Sequence, residues 1–91
     1  MRVQNMTSNR SGREVANQFE IYGDNGEKYF QSYNSIIVKI ANGKTYLDKN
    51  KWDYSKTTGK YRNLFLGEDK KTTEAKIKSG EYLLIDLNKA T

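Results

Sequence analysis

Two alternating stretches flank Asn42-Gly43 and set the clearest pattern in the chain. Ser35 to Ala41 and Lys44 to Asp48 read as strands, and Asn-Gly is the pair preferred in two-residue type I′ hairpin turns. A loop of that length places Ala41 opposite Lys44, Ile40 opposite Thr45 and Val38 opposite Leu47. Ile36, Val38, Ile40 and Leu47 then share one face, with Lys39 and Tyr46 on the other, and a one-residue slip would scatter the apolar set. Upstream, Phe19 and Ile21 alternate with Gln18 and Glu20, the pattern of a half-buried strand. Gly23-Asp24-Asn25-Gly26 supplies residues that tolerate positive φ, so it predicts a turn, and Tyr29 to Tyr33 completes a second hairpin.

After Trp52 the period changes. Tyr61, Leu64 and Phe65 fall on one helical stripe, with Lys56, Lys60 and Asn63 opposite it. Ser55 or Thr57 can cap this helix and Gly67 can stop it. A second short helix is expected from a Thr72 cap to Gly80, with Glu74 near the positive end of its dipole. Tyr82 to Leu87 holds Leu83, Leu84, Ile85 and Leu87, a nearly continuous apolar run that suits a central strand covered on both faces. Met1 to Gly12 shows no period and reads as a flexible arm (residues 1–12), leaving residues 13–91 as a single domain. The predicted fold is α+β: a small antiparallel β-sheet, made of two N-terminal hairpins plus a C-terminal strand, with two short helices packed on one face.

Composition narrows the chemistry. The 91 residues contain neither His nor Cys, which removes the common nucleophile–base pairs, disulfides and thiolate metal sites. The carboxylates are dispersed and form no recognised catalytic pair. Asp48-Lys49-Asn50-Lys51-Trp52-Asp53 departs from a calcium loop at its fifth and sixth positions, and its lysines oppose a cation. No Gly-Lys-Ser/Thr phosphate loop occurs. The expectation is a protein that is not an enzyme, with no catalytic residues, no metal and no cofactor. No apolar run approaches a membrane span of roughly 20 residues, so the chain reads as soluble and cytoplasmic, with no membrane partner.

The charge of +5 is unevenly placed. Residues 39–62 carry seven basic side chains against two acidic ones, while the flanking segments are balanced. Clustered positive charge favours polyanions or acidic protein faces. Lys44, Lys49, Lys51, Trp52, Tyr54, Lys56, Lys60 and Arg62 are therefore the candidate partner-binding residues, and the expected partner is DNA, RNA, a host protein or a protein–nucleic-acid complex. Two plainer readings compete. Lysines also solvate hairpins and discourage strand pairing between molecules, and Trp52 can close the core instead of anchoring a partner. Tyr29 and Tyr33 share a strand in an arrangement that could stack bases, yet tyrosines on a small sheet are usually ordinary rim or core residues.

The chain also resembles a family of small uncharacterised proteins encoded by phages and prophages of Gram-positive bacteria. The resemblance rests on Thr7-Ser8-Asn9-Arg10-Ser11-Gly12, Ala16-Asn17-Gln18-Phe19, Tyr29-Phe30-Gln31-Ser32-Tyr33-Asn34-Ser35-Ile36-Ile37, Trp52-Asp53-Tyr54-Ser55 and Lys60-Tyr61-Arg62-Asn63. It runs from Met6 onward, which would make Met1 to Asn5 an alternative start. It brings no functional residues with it. What it implies is context: a phage accessory protein in a bacterial host's cytoplasm, of a kind that often inhibits a CRISPR or other anti-phage defence system or regulates DNA. The other expectation is a phage structural or assembly component with no nucleic-acid contact.

Overall fold

The computed structural model describes residues 1–8 and 11–89. Its elements are β1 (Arg2–Thr7), β2 (Glu14–Tyr22), β3 (Lys28–Ser32), β4 (Ser35–Ala41), β5 (Lys44–Asp48), α1 (Lys56–Leu66), α2 (Lys70–Ser79) and β6 (Tyr82–Ile85). The strands form one sheet in the order β1-β2-β3-β4-β5-β6. Every neighbouring pair is antiparallel except β5 and β6, which run parallel and are joined through both helices. The fold is α+β, as the pattern predicts.

The Asn-Gly hairpin forms in the expected register, Ala41 against Lys44, Ile40 against Thr45 and Val38 against Leu47. Asn42 and Gly43 both take positive φ, 54° and 74°, as a type I′ turn requires. One member of the predicted apolar face is displaced. The β3–β4 register shifts between Phe30 and Gln31, so Ile36 pairs with Gln31 while Val38 pairs with Phe30. This bulge turns Ile36 to the opposite face and inserts Ile37, which is fully buried, in its place.

The core lies between the sheet and the helices. Phe30, Ile37, Val38 and Leu47 are fully buried at its centre, with Met6, Tyr61 and Tyr82 around them. Burying side chains of this kind stabilises by about 1.5–3 kcal/mol each. Phe65 of α1 stacks on Phe30 at 5.8 Å between ring centroids. The Thr58 and Ser32 hydroxyls hydrogen-bond at 2.8 Å, pinning the first turn of α1 to the end of β3.

Three expectations need correction. Residues 2–7 are a strand and not an arm: β1 pairs with β2, Met6 enters the core, Asn5 Nδ2 donates to the Val15 carbonyl, and Arg2 lies 4.6 Å over the Tyr22 ring. An edge strand that buries one side chain leaves no hydrophobic period to read. Asn9 and Arg10, also assigned to the arm, lie outside the described residues. The second helix is capped by Asp69, whose side chain accepts from Thr72 N–H at 2.8 Å; Thr72 is the partner of the cap and not the cap itself. Finally, β6 is an edge strand and not a central one. The strands from β1 to β5 already pair consecutively, so a strand returning from the helices can add only at an open edge, and it takes the outer side of β5.

The joint between α2 and β6 is a hydrogen-bonded cluster on Glu68. Its carboxylate accepts from Thr73 Oγ1 (2.6 Å), Lys76 Nζ (2.8 Å) and the Tyr82 hydroxyl (2.8 Å). Burial by itself would raise the Glu68 carboxyl, but hydrogen bonds from Lys76, Thr73 and Tyr82 outweigh it and hold the group below its usual value of 4.5. The same hydrogen bond pushes Lys76 up to about 12. A carboxylate lowered on folding adds stability above its unfolded value, and that stability fades as pH falls through the folded one. Glu68→Gln is therefore expected to melt lower than the unmodified chain at pH 7, with the gap narrowing below about pH 4.5. A series of melting temperatures from pH 7 to 3, measured by circular dichroism, checks this.

Candidate partner-binding surface

Ser55 starts α1: it takes an extended conformation, φ −152°, and its hydroxyl accepts from Thr58 N–H at 3.1 Å. With Thr58 turned into the core, the helical period directs Lys56, Lys60 and Asn63 outward. These three line an open groove of about 690 Å³ that also takes in Asp53, Leu64 and Lys70. Asp53 sits at the groove's wall between two cations, Lys70 Nζ at 2.7 Å and Arg62 Nη1 at 3.1 Å. Burial would raise its carboxyl, but the hydrogen bonds from Lys70 and Arg62 prevail and lower it.

The candidate residues divide into contact-ready and structural groups. Lys49, Tyr54, Lys56 and Lys60 are exposed near the N-terminal end of α1. Lys51 joins them: Nζ donates to Ser35 Oγ at 2.9 Å and lies 5.9 Å over the Tyr54 ring. Lys44 belongs elsewhere, beside the β4–β5 turn at the opposite end of β5 from Lys49. Arg62 is only 1% exposed. Its guanidinium donates to the Trp52 carbonyl (2.7 Å), Asp53 Oδ1 (3.1 Å) and Asn63 Oδ1 (3.0 Å), and stands 5.1 Å over the Trp52 indole. Trp52 is half-buried against the core. The Arg62–Trp52 pair thus fastens the segment before α1 to the helix, and neither residue projects as a free anchor.

The sequence reading missed α2's share of the charge. Residues 49–78, which hold both helices and the segment leading to them, carry nine basic against four acidic side chains, a balance equal to the whole net charge of +5. Among the described residues Lys49, Lys56, Lys60, Lys71 and Lys78 make no ion pair. Lys71 and Lys78 went unnoticed because Glu68, Asp69 and Glu74 balance the C-terminal segment when charges are merely counted. Two of α2's four cations, however, are spent on carboxylates: Lys76 on Glu68 and Lys70 on Asp53.

Reading the alternation of β2 alone also inverted its faces. Gln18 is fully buried on the helix side, while Phe19 and Ile21 lie on the open side of the sheet. Following the register across all six strands, Val3, Ile21, Tyr29, Lys39, Tyr46 and Leu83 form one row on that open face. Tyr33 is not in it: this residue sits in the β3–β4 turn at φ 56° and is 45% exposed.

Among the described residues no group of three or more His, Cys, Asp or Glu side chains could hold a metal ion, and no helix is long and apolar enough to cross a membrane. A family model matches residues 1–81. The chain belongs to DUF8033, a family of unknown function. The family's span includes Met1 to Asn5, which the resemblance from Met6 onward had left aside, and so β1 is part of it. It takes in both helices and every candidate partner-binding residue, and stops one residue before β6. No curated protein and no solved structure matches the chain.

Proposed function

We propose that this is a non-catalytic phage accessory protein that engages a host protein–nucleic-acid machine, such as a CRISPR or other anti-phage defence complex, through its cationic helical side. One observation carries the reading: residues 49–78 account for the entire net charge, and six of their lysines (Lys49, Lys51, Lys56, Lys60, Lys71 and Lys78) are without an ion-pair partner among the described residues. A one-signed field of this kind raises the local concentration of polyanions and speeds encounter with them. The groove beside Lys56 and Lys60 offers shape as well as charge. The phage context rests on the sequence resemblance, and the cytoplasm of the bacterial host follows from that context.

The test is capture from host lysate with and without nuclease, comparing the unmodified chain with a Lys56→Glu/Lys60→Glu variant. Both positions are exposed on α1, so the fold should tolerate the change. The expected result is at least about a tenfold loss of the captured complex in the variant, or about 1.4 kcal/mol. Where nucleic acid is the direct contact, binding also falls steeply with salt, by a log–log slope near −0.9 per phosphate neutralised. Equal capture by the two proteins at every salt concentration would remove the helical side from consideration. The apolar open face of the sheet favours a second reading, a phage structural or assembly component.

A further inference from the structure

From the open face of the sheet we infer that the protein forms a weak, two-fold symmetric dimer in which two copies pack their sheets face to face. No helix lies on this face, because α1 and α2 both pack on the other side. The row that crosses all six strands is apolar or aromatic at every position but Lys39: Val3, Ile21, Tyr29, Tyr46 and Leu83. In the adjacent row Phe19 and Ile36 flank Gln31. Val3 is 57% and Leu83 41% exposed. A monomer has no use for apolar side chains on this side while it buries a glutamine on the other.

The row is self-complementary. A two-fold axis parallel to the strands, passing between β3 and β4, lays β4 of one copy over β3 of the second. It likewise lays β5 over β2 and β6 over β1. Lys39 then meets Tyr29 of the second copy, Tyr46 meets Ile21, and Leu83 meets Val3. Aligned sheets pack in this way about 10 Å apart and within about 30° of parallel. A lysine over a tyrosine face is an attractive contact, so the single central cation is accommodated. Glu27 also lines the cleft of about 330 Å³ that Lys39 and Tyr29 share, which puts a carboxylate beside that cation. At the rim, Lys44 adds a further charge on this side.

Charge and area both select a second copy. The net charge lies in the helical layer, on the far side of each copy, so two molecules of +5 can approach through their sheets. The lone lysine between two tyrosines gives too little positive charge to follow a phosphate backbone. Six strands at about 4.8 Å spacing and about five residues in length present roughly 480 Å² per copy. The total, roughly 950 Å², falls below the range of stable interfaces and within that of weak, reversible ones. A dissociation constant between about 10 μM and 1 mM is expected.

Sedimentation equilibrium from about 10 μM to about 2 mM tests the dimer, since that range brackets the expected constant. The mean mass is expected to rise from the 10.5 kDa of the monomer toward twice that value. Ile21→Lys should weaken association at least about tenfold, whereas Lys60→Glu on the helical side should leave it unchanged. The chain has no cysteine, so a short bifunctional thiol-reactive crosslinker, needed because facing sheets about 10 Å apart exceed disulfide reach, reads the register even if Ile21→Lys disturbs folding. Mixed Ile21→Cys and Tyr46→Cys proteins should cross-link to each other, and each variant alone should do so poorly. A protein monomeric throughout the range, a dimer indifferent to Ile21→Lys, or single variants that cross-link as readily as the mixture would overturn the proposal.

Discussion

Arg62→Ala is expected to lower the melting temperature by about 12–24 °C, the largest loss anticipated for any of the candidate partner-binding residues. The guanidinium is buried and holds three acceptors, the Trp52 carbonyl, Asp53 and Asn63. Truncation strands the Trp52 carbonyl, unstacks the indole and leaves a cavity where the stem was. Hydrogen bonds to a charged group contribute about 1.5–3 kcal/mol. Asp53 keeps Lys70, and the Arg62 Nε already lacks a partner among the described residues, so a total of about 3 kcal/mol is reasonable. In a domain of this size each kcal/mol shifts melting by about 4–8 °C. Arg62→Lys should restore little, because an ammonium cannot reproduce the planar fork that reaches all three acceptors. Thermal unfolding followed by circular dichroism measures both variants. A change within about 2 °C for Arg62→Ala would mean that the interior does not depend on this contact. The practical consequence is that any loss of partner binding on mutating Arg62 reports unfolding, whereas Lys56 and Lys60 report contact.

The second large effect has the opposite sign. Gln18→Met is expected to raise the melting temperature by about 4–16 °C. Gln18 is fully buried, and neither its amide oxygen nor its amide nitrogen meets a hydrogen-bond partner among the described residues. A buried polar group left unpaired costs about 1–3 kcal/mol, and replacing it by an apolar group of similar shape recovers much of that. Methionine is close to glutamine in length and flexible enough to fill the same space. A gain of about 1–2 kcal/mol gives the stated shift. Equilibrium urea unfolding should show the midpoint moving up at constant slope. A destabilised Gln18→Met would show instead that the folded chain satisfies the amide.

These two residues mark where the sequence was legible and where it misled. The β4–β5 hairpin could be read to the residue because Asn42-Gly43 admits one turn type, and the turn fixes every pairing that follows. The helix ends at Gly67 and Gly80 were readable for a similar reason, and the start of α1 was narrowed to Ser55 or Thr57, of which Ser55 is the cap: a cap is a local event, made by a side chain within three residues or by a glycine at positive φ. Nothing local distinguishes Asp69 from Thr72 as the start of α2, since both cap well. Faces were harder. Alternation in β2 reveals two faces but not which one the helices will cover, and the polar Gln18 took the side that hydrophobicity alone would have given to Phe19. In β4 a bulge, invisible in composition, exchanged Ile36 for Ile37. The apolar run of β6 was sound evidence of strand and poor evidence of position, because position depends on which edge remains free after the hairpins pair.

The candidate surface shows the same division. Clustered lysines could be counted along the chain, yet which of them are spent internally is a property of three-dimensional pairing. Arg62, Lys70 and Lys76 are committed to carboxylates, whereas Lys49, Lys56, Lys60, Lys71 and Lys78 remain for a partner. Basic residues distributed across two helices become one surface only when both helices lie on the same side of the sheet.

The central claim is that anionic partners meet the helical side and that the open face of the sheet stays clear of them. Amide chemical-shift mapping of isotope-labelled protein with a short DNA duplex, used purely as a polyanion probe at low salt, tests it most directly. The predicted result is perturbation concentrated at Lys49, Lys56, Lys60, Lys71 and their neighbours, vanishing as salt is raised. Perturbation centred on Ile21, Tyr29 and Tyr46, or spread evenly over both sides, would contradict it.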